Sequence, residues 1–133
     1  MFVTRKADYA VRCVLYLAAR RERTVSVPEI STEIDVPPVF LSKILQRLAR
    51  EGIVTSLRGT KGGFKLALPP RDINLLQVIE AIQGKSAANV CALDEKACGR
   101  SGFCSVHPIW VEIREYVERK LKATSFEQLL KLK

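Results

Sequence analysis

Pro38-Val39-Phe40-Leu41-Ser42-Lys43-Ile44-Leu45-Gln46-Arg47-Leu48-Ala49-Arg50 places Leu41, Ile44, Leu45 and Leu48 at the three- and four-residue spacing of one inward helix face. The outward set is then Val39, Phe40, Ser42, Lys43, Gln46, Arg47 and Arg50. Ser42, Lys43, Gln46 and Arg47 carry groups that bond base edges or phosphates, and Val39 and Phe40 offer apolar surface to thymine methyls. Partial burial of Phe40 against the preceding helices is the alternative. Just upstream, Val36-Pro37-Pro38 breaks the chain, because each proline steers its predecessor out of the helical region. Before that break, Ser26 and Glu29 have capping-box spacing and Pro28 suits a first turn, which predicts a short helix over 27–35. A longer amphipathic helix is expected over 6–21, where Ala10, Val11, Val14, Leu15, Leu17 and Ala18 recur on one side.

Downstream, Gly52 suits the left-handed position that ends a helix, and 53–57 reads as a strand. Arg58-Gly59-Thr60-Lys61-Gly62-Gly63 supplies three glycines for tight turn positions, and Phe64, Leu66 and Leu68 alternate with Lys65 and Ala67 as a returning strand. Two helices joined by a tight turn and followed by a β-hairpin describe a winged helix-turn-helix, whose second helix enters the major groove of DNA. Its wing, with Arg58, Gly59, Lys61, Gly62 and Gly63, lets a thin loop approach the sugar-phosphate rails, and an arginine there can enter a narrow minor groove. A plain hairpin with solvated charges is the bland reading. Its position directly after a recognition-helix candidate favours binding.

Pro69-Pro70 ends the hairpin, and Asn74 caps a helix carrying Leu75, Val78, Ile79 and Ile82 as far as Gly84. A Cys-, Ala-, Gly- and Ser-rich stretch follows, and Pro108 then opens a helix to about Ala123. On it Ile109, Trp110, Ile113, Tyr116, Val117 and Leu121 form a stripe too apolar for solvent, which predicts a dimer contact. Glu115 with Arg119 and Glu118 with Lys122 are expected to pair on its outer side. A short last helix is capped by Thr124 or Ser125 and carries Phe126, Leu129 and Leu130. The fold expected is mainly α with a small β-hairpin wing. It divides into a DNA-binding unit (1–84), a cysteine-rich loop (85–107), and a dimerisation helix with the short last helix (108–133).

Composition agrees with a polyanionic partner: 22 basic against 14 acidic residues give a net charge of +8 over 133 residues. Cys13 to Ala19, flanked by Arg12 and Arg20, is far shorter than the roughly 20 apolar residues a membrane span needs. With no signal-like segment at the start, a cytoplasmic location is expected, where clustered thiols mean metal or redox chemistry. A single histidine, no phosphate-cradling run and no nucleophile-base pair argue against an enzyme.

Cys91, Cys98 and Cys104 lie between the two C-terminal helices, with His107 three residues after the last. Three thiolates and an imidazole suit an iron-sulfur cluster or zinc, since soft ligands select these metals. Structural zinc in a Cys3His set, or a thiol switch without metal, are the rivals. His107 can instead be a surface or capping residue at the helix start. Cys13, on the apolar side of the first helix, reads as a small buried hydrophobe.

The order of elements, the Arg58-Gly59-x-x-x-Gly63-Phe64 segment and the helix from Leu75 to Gly84 resemble the IscR/NsrR-type (Rrf-type) transcription regulators across nearly the whole chain. The resemblance implies that Arg58 reaches the minor groove, that Val39, Phe40 and Ser42 read bases, and that the helix 108–123 makes a homodimer. It implies an iron-sulfur cluster (2Fe-2S or 4Fe-4S) in the cysteine loop, with His107 as the IscR-like fourth ligand. Asp8, where an NsrR-like regulator recruits a carboxylate from the second subunit, is the alternative; a helix-dipole role for an acid in a first turn is the simpler account. Between Cys91 and Cys98 this chain has one residue more than the family pattern, and Ser42 stands where many IscR-like chains carry an acidic or amide residue. The function expected is a DNA-binding transcription regulator, a repressor of a pseudo-palindromic operator, whose affinity follows redox, nitric oxide or iron-sulfur status. A zinc-binding or thiol-switch regulator of the same fold, or a protein-interaction adaptor, are the alternatives.

Overall fold

Thr4 opens the first helix by accepting a hydrogen bond from the Ala7 amide at 3.1 Å. In this computed structural model, which describes residues 3–132, helix α1 runs Arg5–Ala18 and turns Ala7, Ala10, Cys13, Val14 and Leu17 fully inward. Helix α2 (Val27–Ile34) starts at Ser26, whose hydroxyl accepts from the Glu29 amide at 3.3 Å. Only half of the expected capping box forms. The Glu29 carboxylate turns away from the helix start to take Arg23 at 2.6 Å and the Tyr16 hydroxyl at 2.8 Å, both charge-assisted bonds. Asp35 closes α2 in the left-handed conformation at φ 56°.

Helix α3 (Pro38–Arg50) follows the proline break and buries Leu41, Ile44, Leu45 and Leu48 against α1 and α2. Gly52, at φ 78°, reverses the chain, and the Ile53 amide closes back on the Leu48 carbonyl at 3.0 Å. Strands β1 (Val54–Leu57) and β2 (Gly63–Leu66) pair antiparallel, with Val54 opposite Leu66 and Leu57 opposite Gly63. Val25 adds a third lane: its amide and carbonyl bond the Phe64 carbonyl and amide at 2.9 and 2.8 Å. The hairpin is thereby fastened to the connection between α1 and α2.

Helix α4 (Leu75–Gln83) carries a complete capping box between Asn74 and Gln77 and packs along α1. Helix α5 (His107–Lys122) lies against α4, and α6 (Phe126–Leu130) begins with a second capping box, Ser125 with Gln128. On α5, Glu118 pairs at 2.7 Å with Arg114, one turn earlier, where Lys122 was the expected partner. The Phe126 amide donates to the Ile73 carbonyl at 2.9 Å, and its ring is completely buried in the core formed by α1, α2, α3 and α4. Packing therefore returns α6 to the core of residues 1–84, whereas the sequence reading sets it with the long helix. A fully buried ring of this size stabilises by about 1.5–3 kcal/mol relative to an exposed one, enough to hold a helix of one turn that has little stability of its own.

Candidate functional site

The outward face of α3 stands clear of the rest of the chain. Val39 is 68% exposed and Phe40 53%, so both stay largely in solvent, and Lys43, Gln46 and Arg50 are exposed beyond them. Ser42 is half-buried. Two large apolar side chains left in water at the start of a helix, followed by amides and cations, form a surface with both methyl-reading and hydrogen-bonding capacity. Arg47 is different. Its Nε donates to the Ala81 carbonyl in the last turn of α4 at 2.9 Å, and Glu51 lies 3.8 Å from the same atom.

The turn between the strands, residues 58–62, projects Arg58 and Lys61 into solvent. Its glycines have distinct tasks. Gly59 has φ 109°, and the Gly62 amide closes the turn on the Gly59 carbonyl at 2.9 Å. A Cβ at Gly62 would collide with the Leu57 and Gly59 carbonyl oxygens, and one at Gly63 with the carbonyl of Val25. Gly63 is thus what allows the hairpin to approach Val25 closely enough to bond it.

Lys6, on the first turn of α1, joins Lys43, Arg47 and Arg50 along one groove. Sequence reasoning missed Lys6, because Lys6 and Lys43 lie more than thirty residues apart in the chain and only packing brings the exposed sides of α1 and α3 together.

The four cysteines are free thiols. Cys13 is sealed in the core, where burial pushes its pKa up to about 12. Cys91 is buried in a short helical turn, Val90–Ala92, that packs on α5, while Cys98 and Cys104 are half-buried in the loop beyond it. His107, at the first position of α5, is 8% exposed, and its Nδ1 is buried without a hydrogen-bond partner. Leaving a buried imidazole nitrogen unpartnered is costly, and the helix start has no side-chain cap bond, so His107 is neither a solvated surface residue nor a cap; the buried Nε of Arg114 is likewise unpartnered. Among the described residues, no three of the His, Cys, Asp and Glu side chains converge as a metal-holding group. Asp8 is engaged by Arg12 at 2.9 Å on its own helix. Arg114, unforeseen from the sequence, ties the loop down: its Nη1 donates to the Ala92 carbonyl at 3.2 Å while Nη2 meets Glu118.

The sequence stripe on α5 splits into two. Trp110, Val117 and Leu121 are partly covered, whereas Ile109, Ile113 and Tyr116 are exposed at four- and three-residue spacing on a neighbouring line. No helix among the described residues is long and apolar enough to cross a membrane.

A helix-turn-helix with its second helix exposed, followed by a glycine-hinged β-hairpin, defines a winged-helix DNA-binding transcription regulator. The chain belongs to the Rrf2 family of iron-dependent transcriptional regulators, whose model matches residues 3–132. It is 30% identical to the HTH-type transcriptional regulator IscR of Xenorhabdus nematophila over 132 residues, covering 98% of this chain and 80% of that one. Among solved structures, it is similar to IscR of T. potens, with a TM-score of 0.80 at 25% identity, covering 98% of this chain and 87% of that one. It also shares its fold with CymR, the global cysteine regulator of B. subtilis, with a TM-score of 0.82 at 24% identity, covering 100% and 98% of the two chains. These relatives are transcription regulators, not enzymes.

Proposed function

We propose that this chain is a homodimeric cytoplasmic repressor whose affinity for a pseudo-palindromic operator is set by an iron-sulfur cluster held by Cys91, Cys98, Cys104 and His107. The observation that carries this reading is the buried, unpartnered Nδ1 of His107, which lies in the same short span as three free thiols. The donor set fits the group, because thiolates with one imidazole are suitable iron-sulfur ligands. The thiols are not gathered beforehand. Ligation then closes the loop and couples the free energy of binding to its folding. Asp8, already paired with Arg12, is the weaker candidate for the fourth position. When bound, the group supplies a redox couple and a core that reacts with oxidants or nitric oxide.

The chain's own residues carry the signal onward. Residues 1–84, with α6 packed into them, bind DNA; residues 85–107 form the sensing loop; and α5 joins two copies through Ile109, Ile113 and Tyr116. Arg114 fastens the Cys91 turn to α5, so closure of the loop bears on the helix that sets the spacing of the two recognition helices. Regulation requires that the two states differ in operator affinity. In the wing, Arg58→Ala weakens binding and flattens preference for a narrow minor groove, while Lys61→Ala lowers the salt slope by about one.

The test is anaerobic purification with iron, sulfide and zinc analysis, followed by operator binding with and without the cluster at one salt concentration. Zinc in stoichiometric amount with no sulfide replaces the cluster reading, and equal affinity of the two forms rejects it. A thiol switch without metal is the second reading, favoured by the lack of convergence among the thiols. Metal-free protein whose DNA binding responds to a thiol oxidant would establish it instead.

A further inference from the structure

Beside α3, where its C-terminal half meets the first turn of α1, runs a groove lined by Lys6, Lys43, Gln46, Arg47, Arg50 and Ile82. Four of these are cations and none of the lining residues is an acid, although Glu51, 3.8 Å from the Nε of Arg47, offsets the charge of that one residue and leaves Lys6, Lys43 and Arg50. Like charges gathered at one concavity repel each other, and such an arrangement focuses potential onto an anionic ligand. The occupant is a chain of anions rather than a single one: Lys43 and Arg50, seven residues apart, are separated by about 10 Å along the helix axis. A groove of that length, which shares Lys43 and Gln46 with the outward face of α3, matches a nucleic-acid rail better than a free phosphate ion.

The groove is also braced. Arg47 is held by the Ala81 carbonyl, and the Thr4 amide donates to Oε1 of Gln83 at 2.9 Å. The last turn of α4 is thus bonded to both other walls, and Ile82 of that turn forms part of the lining.

We infer that this groove is a second DNA contact, a seat for the sugar-phosphate rail in which Lys6 and Arg50 meet phosphates and Arg47 is a positioning residue set by the end of α4. The inference rests on the DNA-binding reading and adds to α3 and the wing a third contact, contributed by α1.

The test uses the full-length protein and a duplex selected from random sequence by the wild type. Affinity is measured over a salt series for wild type, Lys6→Gln, Arg50→Gln and Arg58→Ala. Each loss of a phosphate contact is expected to lower the salt slope by about 0.9, so that a fourfold rise in salt costs the variant about 3.5-fold less than it costs the wild type. Base preference stays unchanged in Lys6→Gln and Arg50→Gln. Both side chains are exposed, and an unchanged thermal midpoint verifies the folding of the variants. Normal slopes in Lys6→Gln and Arg50→Gln alongside a weakened Arg58→Ala overturn the seat alone. No DNA binding by the wild type at low salt overturns both the seat and the DNA-binding reading.

Discussion

The Nε of Arg47 donates a hydrogen bond to the carbonyl oxygen of Ala81 at 2.9 Å, so an outward residue of α3 is tied to the last turn of α4. The carbonyls there have no helical partner of their own, and a cation at a helix C-terminus satisfies both the lone pair and the dipole. Arg47→Ala is expected to lower unfolding free energy by about 1 kcal/mol, the value of a half-exposed hydrogen bond. Arg47→Lys keeps the charge but loses the Nε donor and should fall between. Urea unfolding of the three proteins decides it, and identical midpoints would show that the tie contributes nothing.

Phe126 stands at the other end of the chain from the core it completes. Phe126→Ala removes a ring with no solvent contact and is expected to cost about 3–5 kcal/mol, a large share of the stability of a domain this size. Phe126→Leu, closer in volume, should cost much less. If Phe126→Ala unfolds at the wild-type denaturant midpoint, α6 is not part of the folded core.

Glu29 sets an acid limit on the joint between α1 and α2. Hydrogen bonds from Arg23, then from Tyr16, lower its pKa to about 2 from an ordinary 4.5. Because the folded value is depressed, its contribution is complete above the unfolded pKa and is lost as pH falls from about 4.5 towards 2. Glu29→Gln should flatten the acid limb of the stability profile in that window and leave the profile's shape above it unchanged. An unaltered acid limb in the variant contradicts this account.

Cys13 and the loop cysteines should separate by reactivity. With its pKa pushed up to about 12, Cys13 is about one ten-thousandth thiolate at pH 8, and no solvent reaches it. Native metal-free protein is expected to react with a thiol reagent at Cys98 and Cys104, while Cys13 reacts only after denaturant is added. Peptide mapping that finds Cys13 labelled in the native state would place it outside the core.

Much of this architecture is local and therefore readable from the chain. Leu41, Ile44, Leu45 and Leu48 specify the buried side of α3 by spacing alone, and Ser26, Asn74, Ser125 and Gly52 mark helix ends by bonds that reach no more than a few residues. The exposed face of α3 follows by subtraction, which is why Val39 and Phe40 stand where the pattern placed them. Cys91, Cys98, Cys104 and His107 are legible as the candidate ligands of the proposed function from residue type and order alone.

What the tertiary structure decided lies between residues far apart in sequence. Val25 pairs with Phe64, and only the absence of a side chain at Gly63 permits that approach. Arg47 reaches α4 instead of standing free, Lys6 joins α3 across the groove, and Glu29 leaves its own helix for Arg23 and Tyr16. Phe126 crosses back to α1, and α4 and the Val90–Ala92 turn pack on α5 while Ile109, Ile113 and Tyr116 stay in solvent. A sequence pattern records which face of a helix is apolar, because that is a property of local period. Which neighbour covers that face, and which polar group finds a partner on it, depends on how the helices pack together.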